Sequence, residues 1–231
     1  MVAPDTGGPD EIGPVPGSRG EQRWPAAIAV FAALFLPLLL VTDFAGNLRV
    51  VLTGTGVVLL VATIISDPGR IDRHSRRNRA LSLGLMLVLA ATASSSTVRL
   101  IVELLDGAPE LDDPNTLLAA GAVIWLENGL VFSLWFWEID GGGPAARYHR
   151  VRSHPDFAFP QQMDPELAPA HWRPQYHDYL YLSLTNALAF SPTDAMPLTP
   201  KAKLSMGVQS LLSVALLSLV IANAVNVIGA A

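Results

Sequence analysis

Glu127 and Asn128 place two polar side chains near the centre of an apolar stretch, residues 117–139. A carboxylate at the centre of a membrane span is unfavourable by several kcal/mol unless it is protonated, paired or in contact with water. Glu127 is therefore a candidate site for an ion or a proton. The alternative is a structural hydrogen bond, either with Asn128 or with a polar group of the preceding apolar stretch.

Gln209 and Asn223 are polar residues within the last apolar stretch of the chain. They share one helical stripe with Ser213, Leu216 and Val220. Such a stripe is expected of a pore-lining face, whereas amide side chains in membrane spans also form hydrogen bonds between neighbouring helices. Gln209 is open to either role, and for Asn223 we favour the contact between helices.

The elements that position these residues follow from the composition. The 231 residues are 51% hydrophobic and 15% charged, whereas a typical soluble domain is about a quarter charged. Long uncharged stretches predict membrane spans at 26–41, 48–66, 80–105, 117–139 and 202–228. Residues 179–190 form a shorter helix of only about 18 Å, against roughly 30 Å of hydrocarbon, so we expect it to be re-entrant. The predicted fold is an all-α integral membrane protein with five transmembrane helices and one re-entrant segment before the last span.

Four regions follow from this division. They are a disordered polar tail (1–23), four transmembrane helices (24–140), a Pro- and Arg-rich interfacial loop (141–176) and the re-entrant helix, turn and last span (177–231). The chain has no cysteine, which excludes disulfides and thiolate chemistry. Hydrolase, phosphate-loop and metalloprotease motifs are absent from the sequence, so we predict no enzyme activity, no cofactor and no metal site.

The basic residues predict an orientation. With these spans, 13 of the 15 Lys and Arg residues fall on one side, and only Arg49 and Arg99 lie elsewhere. The positive-inside rule then predicts a cytoplasmic N-terminus and an external C-terminus. The arginine cluster Arg70–Arg79 is expected to meet anionic lipid headgroups rather than nucleic acid.

Residues 183–199 carry two short blocks with a distinctive spacing. The first is Ser183, Leu184 and Thr185, and the second is Asp194, Pro197, Leu198 and Thr199. Together they resemble the pore helix and the residues after the filter in potassium-channel-type proteins. The resemblance implies that the last span is an inner helix, that the fourth span is an outer helix and that four copies form a homo-oligomer. It also implies a set of filter-like residues: Thr185, Ser191, Pro192, Thr193, Asp194 and Pro197.

The centre of this segment departs from the channel pattern. Ser191, Pro192 and Thr193 stand where channels have Gly-Tyr-Gly. A potassium filter needs successive carbonyls in conformations that glycine permits, and proline restricts both itself and the residue before it. We therefore expect no potassium selectivity. Asp194 is expected to anchor backbone amides of the turn, with attraction of cations at a pore mouth as the alternative.

The orientation of this segment stays open. Channel loops of this type enter from outside, whereas the charge rule places residues 191–199 inside. Either the loop is inverted in this chain or the charge rule fails.

The whole sequence also resembles an uncharacterised family of bacterial multi-pass membrane proteins, a resemblance that implies no activity. Our first hypothesis is a channel-like membrane protein that conducts small ions. The alternative is a non-conducting membrane scaffold or accessory subunit with the same fold.

Overall fold

The computed structural model describes residues 20–39, 46–73, 75–106, 113–164, 166, 168–169, 172–189 and 195–230. The helices are α1 (Trp24–Phe35), α2 (Gly46–Ser66), α3 (Arg76–Asp106), α4 (Pro114–Ile139), α5 (Pro144–Tyr148), α6 (Pro160–Met163), α7 (Tyr176–Ala189) and α8 (Pro200–Ala230). Two-residue strands lie between them: β1 (Glu21–Gln22), β2 (Arg70–Ile71), β3 (Phe157–Ala158) and β4 (Met196–Pro197). The strands pair antiparallel, β1 with β2 and β3 with β4.

Four helical stretches among the described residues are long and apolar enough to cross a membrane: Leu48–Ser66, Arg76–Leu105, Asn115–Tyr148 and Pro200–Val225. They coincide with the second, third, fourth and last predicted spans. The predicted helical character is confirmed, and the four stretches are consistent with a multi-pass membrane protein.

The first predicted span, 26–41, is described as far as residue 39, and residues 40 and 41 lie outside the described part of the chain. α1 ends at Phe35, and a 3-10 turn, Leu36–Leu39, follows it. Pro37 lies in that turn, and proline lacks the N–H that an α-helix needs to continue. Among the described residues, Trp24–Leu39 is a shorter apolar stretch than the other four.

The third span begins earlier than predicted. α3 starts at Arg76 rather than at residue 80, and its first turn includes three arginines of the predicted cluster. Ser75 starts the helix, because its hydroxyl accepts a hydrogen bond from the Arg77 N–H at 3.3 Å. The charged first turn lets α3 extend beyond its apolar part.

α4 is the central helix, because α1, α3, α7 and α8 all pack against it. Its first turn is capped by Asp113, whose carboxylate accepts hydrogen bonds from the Thr116 N–H at 2.9 Å and the Thr116 hydroxyl at 2.8 Å. Gly121 brings α8 close, since a Cβ at this position would lie 2.7 Å from a Val220 methyl group. Leu134 and Phe136 are fully buried in the core further along the helix.

The segment after α4 folds back on the bundle. Asp140 holds it there: one carboxylate oxygen accepts the Asp156 N–H at 2.6 Å and the Phe157 N–H at 3.1 Å. The other oxygen accepts the Tyr179 hydroxyl at 2.5 Å. The Phe157 ring packs on Phe136, with 5.4 Å between the ring centroids. We call this end of the bundle, formed by β1, β2 and residues 140–175, the loop face.

Residues 20–23 belong to the predicted polar tail but are ordered on the loop face. The Glu21 carboxylate accepts hydrogen bonds from the Trp137 indole N–H at 3.0 Å and the Tyr176 N–H at 2.6 Å. Burial raises the pKa of the Glu21 carboxyl, and the nearby Arg147 guanidinium partly offsets this effect. The contact pattern joins the start of the described chain to α4 and α7.

We expect the loop face to weaken in acid through Asp156. Burial opposes ionisation of this carboxyl, but hydrogen bonds from Lys201 at 2.8 Å and Thr199 at 2.7 Å outweigh burial, so the pKa of Asp156 lies below its usual value. A lowered folded-state pKa stabilises the protein above the unfolded pKa of about 3.9, and the stabilisation is lost as the pH falls towards the folded-state pKa. Asp156→Asn should lower the thermal unfolding midpoint at neutral pH and reduce its fall on acidification.

The matched control for Asp156 is Asp164→Asn, which changes an exposed carboxylate of the same segment. This variant should follow the acid dependence of the unaltered protein. An Asp156→Asn protein with the full acid dependence would contradict the assignment.

We expect Gly121→Ala to lower the thermal unfolding midpoint in detergent. The added methyl group meets Val220, so α4 and α8 must move apart, at a cost of about 1–3 kcal/mol that exceeds the helix-propensity gain of about 0.5–1 kcal/mol. Gly207→Ala is the matched control, because no atom lies within 4 Å of its added Cβ. Equal midpoints for the two variants would show that the close contact is unimportant.

Candidate functional site

Glu127 lies at the middle of α4 and is fully buried. Within the described part of the chain neither carboxylate oxygen has a hydrogen bond of normal length and angle, although the Ser96 hydroxyl is near enough to interact with the carboxyl. Most buried polar groups in proteins have at least one hydrogen-bond partner, so two bare oxygens on one carboxylate are unusual. Of the predicted polar residues, Glu127 is the one with unused capacity to bind a ligand.

Two groups act on Glu127: the Ser96 hydroxyl of α3 is a hydrogen-bonding neighbour of the carboxyl, and the Arg49 charge of α2 attracts it. The Ser96 hydroxyl also donates a hydrogen bond to the Thr92 carbonyl at 3.1 Å. The Arg49 nitrogen Nη2 is buried and has no acceptor within the described part of the chain. Arg49 and Glu127 therefore attract each other without direct contact between their charged groups. We call Arg49, Ser96 and Glu127 the intramembrane cluster.

Asn128 has a structural role instead. Its amide N–H group donates hydrogen bonds to the Thr97 hydroxyl and to the Ile124 carbonyl, each at 3.0 Å. The Thr97 hydroxyl in turn donates to the Ala93 carbonyl at 2.9 Å. Asn128 therefore joins α4 to α3 through Thr97, and Ser96 of α3 is the polar group of the preceding span that neighbours Glu127.

Gln209 lies inside the single chain, at the junction of α8, α7 and α4. Its amide N–H group donates to the Ser183 carbonyl at 3.0 Å and to the Ser183 hydroxyl at 2.6 Å, and its oxygen accepts from Asn186 at 2.8 Å. The Ser183 hydroxyl donates to the Gly129 carbonyl at 2.7 Å. We call Ser183, Asn186 and Gln209 the α7–α8 network.

The rest of the predicted stripe on α8 is also turned inward. Ser213, Leu216 and Val220 are buried, whereas Asn223 is half-buried and donates to the Leu219 carbonyl of its own helix at 3.0 Å. The exposed side of α8 is apolar and carries Leu204, Leu211, Ile221 and Val225.

The filter-like residues are only partly described. The Thr185 hydroxyl donates within α7, to the carbonyls of Tyr181 at 2.9 Å and Leu182 at 3.1 Å. Pro197 lies in β4, opposite Phe157 of β3. Ser191, Pro192, Thr193 and Asp194 lie outside the described residues.

Two features of the polar interior could not be found by sequence reasoning. Arg49 was not connected with Glu127, and the only available signal was its position away from the main group of basic residues. Arg147 is the second, since its guanidinium donates to the carbonyls of Trp137 at 2.6 Å and Asp140 at 2.8 Å and lies over the Tyr179 ring at 5.0 Å. The sequence feature that could have indicated Arg147 is its position shortly after three glycines.

Comparison of the chain with protein-family models, with curated proteins and with solved structures found no match.

We expect Gln209→Leu to destabilise the protein by about 1–3 kcal/mol. The change removes three hydrogen bonds of the α7–α8 network and leaves a buried N–H of the Asn186 amide without its acceptor. Asn223→Leu is the matched control on the same helix, because Asn223 bonds only within its own turn and is half-buried. Thermal unfolding in detergent measures both variants, and an unchanged midpoint for Gln209→Leu would contradict a packing role.

Proposed function

We propose that this chain is a channel-like multi-pass membrane protein that passes small cations, with the Glu127 carboxylate as the buried binding group. The observation that carries this proposal is the buried Glu127 carboxylate at the middle of α4, neither of whose oxygens has a hydrogen bond of normal geometry. A carboxylate that is neither hydrogen-bonded nor in contact with a cation is unfavourable in a low-dielectric interior. Binding of a cation, a proton or a hydrated ion lowers this free-energy cost.

Arg49 limits how tightly the intramembrane cluster holds a cation. Its positive charge attracts the Glu127 carboxylate without contacting it, so the carboxylate remains accessible to a small ion. The same positive charge weakens binding of a second cation and favours release. Conduction needs sites that bind well enough to be entered and weakly enough to be left. The cluster fits this requirement for ions that carry a single charge.

The re-entrant arrangement of α7 belongs to the same proposal. α7 has 14 residues and spans about 21 Å, less than the roughly 30 Å of a hydrocarbon core. It packs against α4 and α8, as a pore helix packs against outer and inner helices. Because Pro192 stands among the filter-like residues, conduction is not selective for potassium. The channel resemblance adds a tetrameric assembly, and the apolar run 26–41 adds a fifth span that includes α1.

A specific observation favours the alternative of a non-conducting scaffold. The polar stripe of α8 is used inside one chain, by the α7–α8 network, and the exposed side of α8 is apolar. An axis between copies would therefore be lined by apolar side chains on this helix. In the scaffold alternative Glu127 is protonated and structural, and conduction is absent.

Ion flux from liposomes tests the proposal. Purified protein should release sodium, potassium or protons, and Glu127→Gln should lower the flux by about tenfold or more, since a tenfold change corresponds to only about 1.4 kcal/mol. Glu166→Gln is the matched control, because it makes the same change at an exposed position. It should leave the flux unaltered.

Two results would contradict conduction through Glu127. If the unaltered protein passes none of the three ions, the scaffold alternative is favoured. If Glu127→Gln and Glu166→Gln conduct equally, the flux does not depend on the buried carboxylate. Thermal unfolding of both variants, measured in parallel, separates a loss of conduction from a loss of folded protein.

A further inference from the structure

A crevice opens on the loop face where the ends of α1, α2, α3 and α4 meet. It encloses a cavity of about 70 Å³. Its deeper wall is apolar and includes Val30, Leu60 and Leu85. Its other wall carries charged and polar side chains, among them Arg73 and Glu138. A crevice with one apolar and one charged wall at the end of membrane-spanning helices lies at the level of lipid headgroups.

Glu138 supplies an unused acceptor in this crevice. The residue is 2% exposed, and one of its carboxylate oxygens accepts a hydrogen bond from Arg79. The other oxygen, Oε2, is buried and receives no hydrogen bond from any residue within the described ranges. A buried carboxylate oxygen is stabilised by a charged donor, and the crevice leaves room for one beside it.

The start of α3 supplies the opposite charge. Arg76, Arg77 and Arg79 lie in the first turn of this helix, and no acidic residue accompanies them there. A helix N-terminus already carries a partial positive charge, so cations in that turn are unfavourable unless an anion lies nearby. Arg73 and Asn78 line the adjacent wall of the crevice. This side therefore offers several donors to an anionic group.

From these two observations we infer that the crevice binds the headgroup of an aminophospholipid, such as phosphatidylethanolamine. The phosphate lies against Arg73 and Asn78 at the start of α3, and the primary ammonium donates a hydrogen bond to Glu138 Oε2. The ammonium end enters the cavity, and the phosphate and acyl chains lie at its opening and in the surrounding bilayer. This site is separate from the intramembrane cluster and does not depend on conduction.

Other headgroups can make only one of the two contacts, the one at the phosphate. Phosphatidylcholine has the same phosphate, but its quaternary ammonium has no N–H to donate to Glu138. Phosphatidylglycerol has the phosphate and hydroxyl donors but no positive charge to pair with the carboxylate. The two-ended match therefore predicts a preference for the primary ammonium over both alternatives.

The experiment compares lipids that differ only in the headgroup. The purified protein is titrated in detergent with phosphatidylethanolamine, phosphatidylcholine or phosphatidylglycerol of identical acyl chains, and binding is followed by the fluorescence of Trp137, which lines the crevice. We expect phosphatidylethanolamine to bind about tenfold more tightly than the other two lipids, a difference of about 1.4 kcal/mol. Equal binding of phosphatidylethanolamine and phosphatidylcholine would overturn the ammonium contact, as would tighter binding of phosphatidylglycerol.

Variants locate the effect in the crevice. Glu138→Gln should remove the preference for the primary ammonium. Arg73→Gln should weaken the binding of all three lipids alike, because it changes only the contact with the phosphate. Arg73 is an exposed residue, so its replacement leaves the fold intact. Arg77→Gln is the matched control, since Arg77 lies in the same basic region outside the crevice wall. If Arg77→Gln and Arg73→Gln weaken binding equally, the attraction is a general surface effect and the site is wrong.

A soluble headgroup distinguishes a lipid from a free phosphate compound. Phosphoethanolamine offers the same phosphate and ammonium without acyl chains. If it binds as tightly as the lipid, the occupant is a soluble molecule and the lipid assignment is overturned. If it binds at least about tenfold more weakly, the bilayer contributes to binding as the inference requires.

Discussion

The Asp140 carboxylate decides where the second half of the protein lies. It stands at the end of the central helix and accepts two backbone N–H groups from residues 156 and 157 and the hydroxyl of Tyr179. These three bonds place β3 and α7 against α4. Because α8 packs on both α4 and α7, its position also depends on this one buried side chain. Removing it leaves three donors without their acceptor in a buried region.

Successive residues of α4 contact different neighbouring helices. Asn128 bonds to α3, the Gly129 carbonyl accepts a hydrogen bond from α7, and Gly121 admits α8. Glu127, between these contacts, has no hydrogen bond of normal geometry among the described residues. Two adjacent residues of the helix thus have opposite roles: one completes the packing, whereas the other retains its capacity to bind. This contrast, rather than the presence of a carboxylate alone, makes Glu127 the candidate.

The main helices could be predicted from the sequence because the pattern that defines them is local. The apolar runs at 48–66 and 202–228 match α2 and α8 within two residues at each end. The end of α1 was missed because Pro37 acts through backbone geometry within an apolar run. The strands were missed because each has two residues and owes its pairing to distant parts of the chain.

The candidate site was less predictable than the fold. Helical spacing indicated which residues share a face but not which helix that face meets. Gln209 was placed on a stripe that agrees with the buried side of α8, yet the partner of that stripe is α7. Arg49 and Glu127 face each other only because α2 and α3 bring their faces towards α4, and no local pattern encodes this meeting.

The contact between Glu21 and α7 has a consequence for the order of assembly. Its hydrogen bond to the Tyr176 N–H joins residues 155 positions apart. A chain made from its N-terminus therefore inserts α1 to α4 before Tyr176 has been synthesised. Until then the Glu21 carboxylate can already accept the Trp137 indole N–H of α4, and the arrival of α7 adds the Tyr176 N–H. Closure of the loop face is thus a late event in folding, and it connects the beginning of the bundle to a helix from its final third.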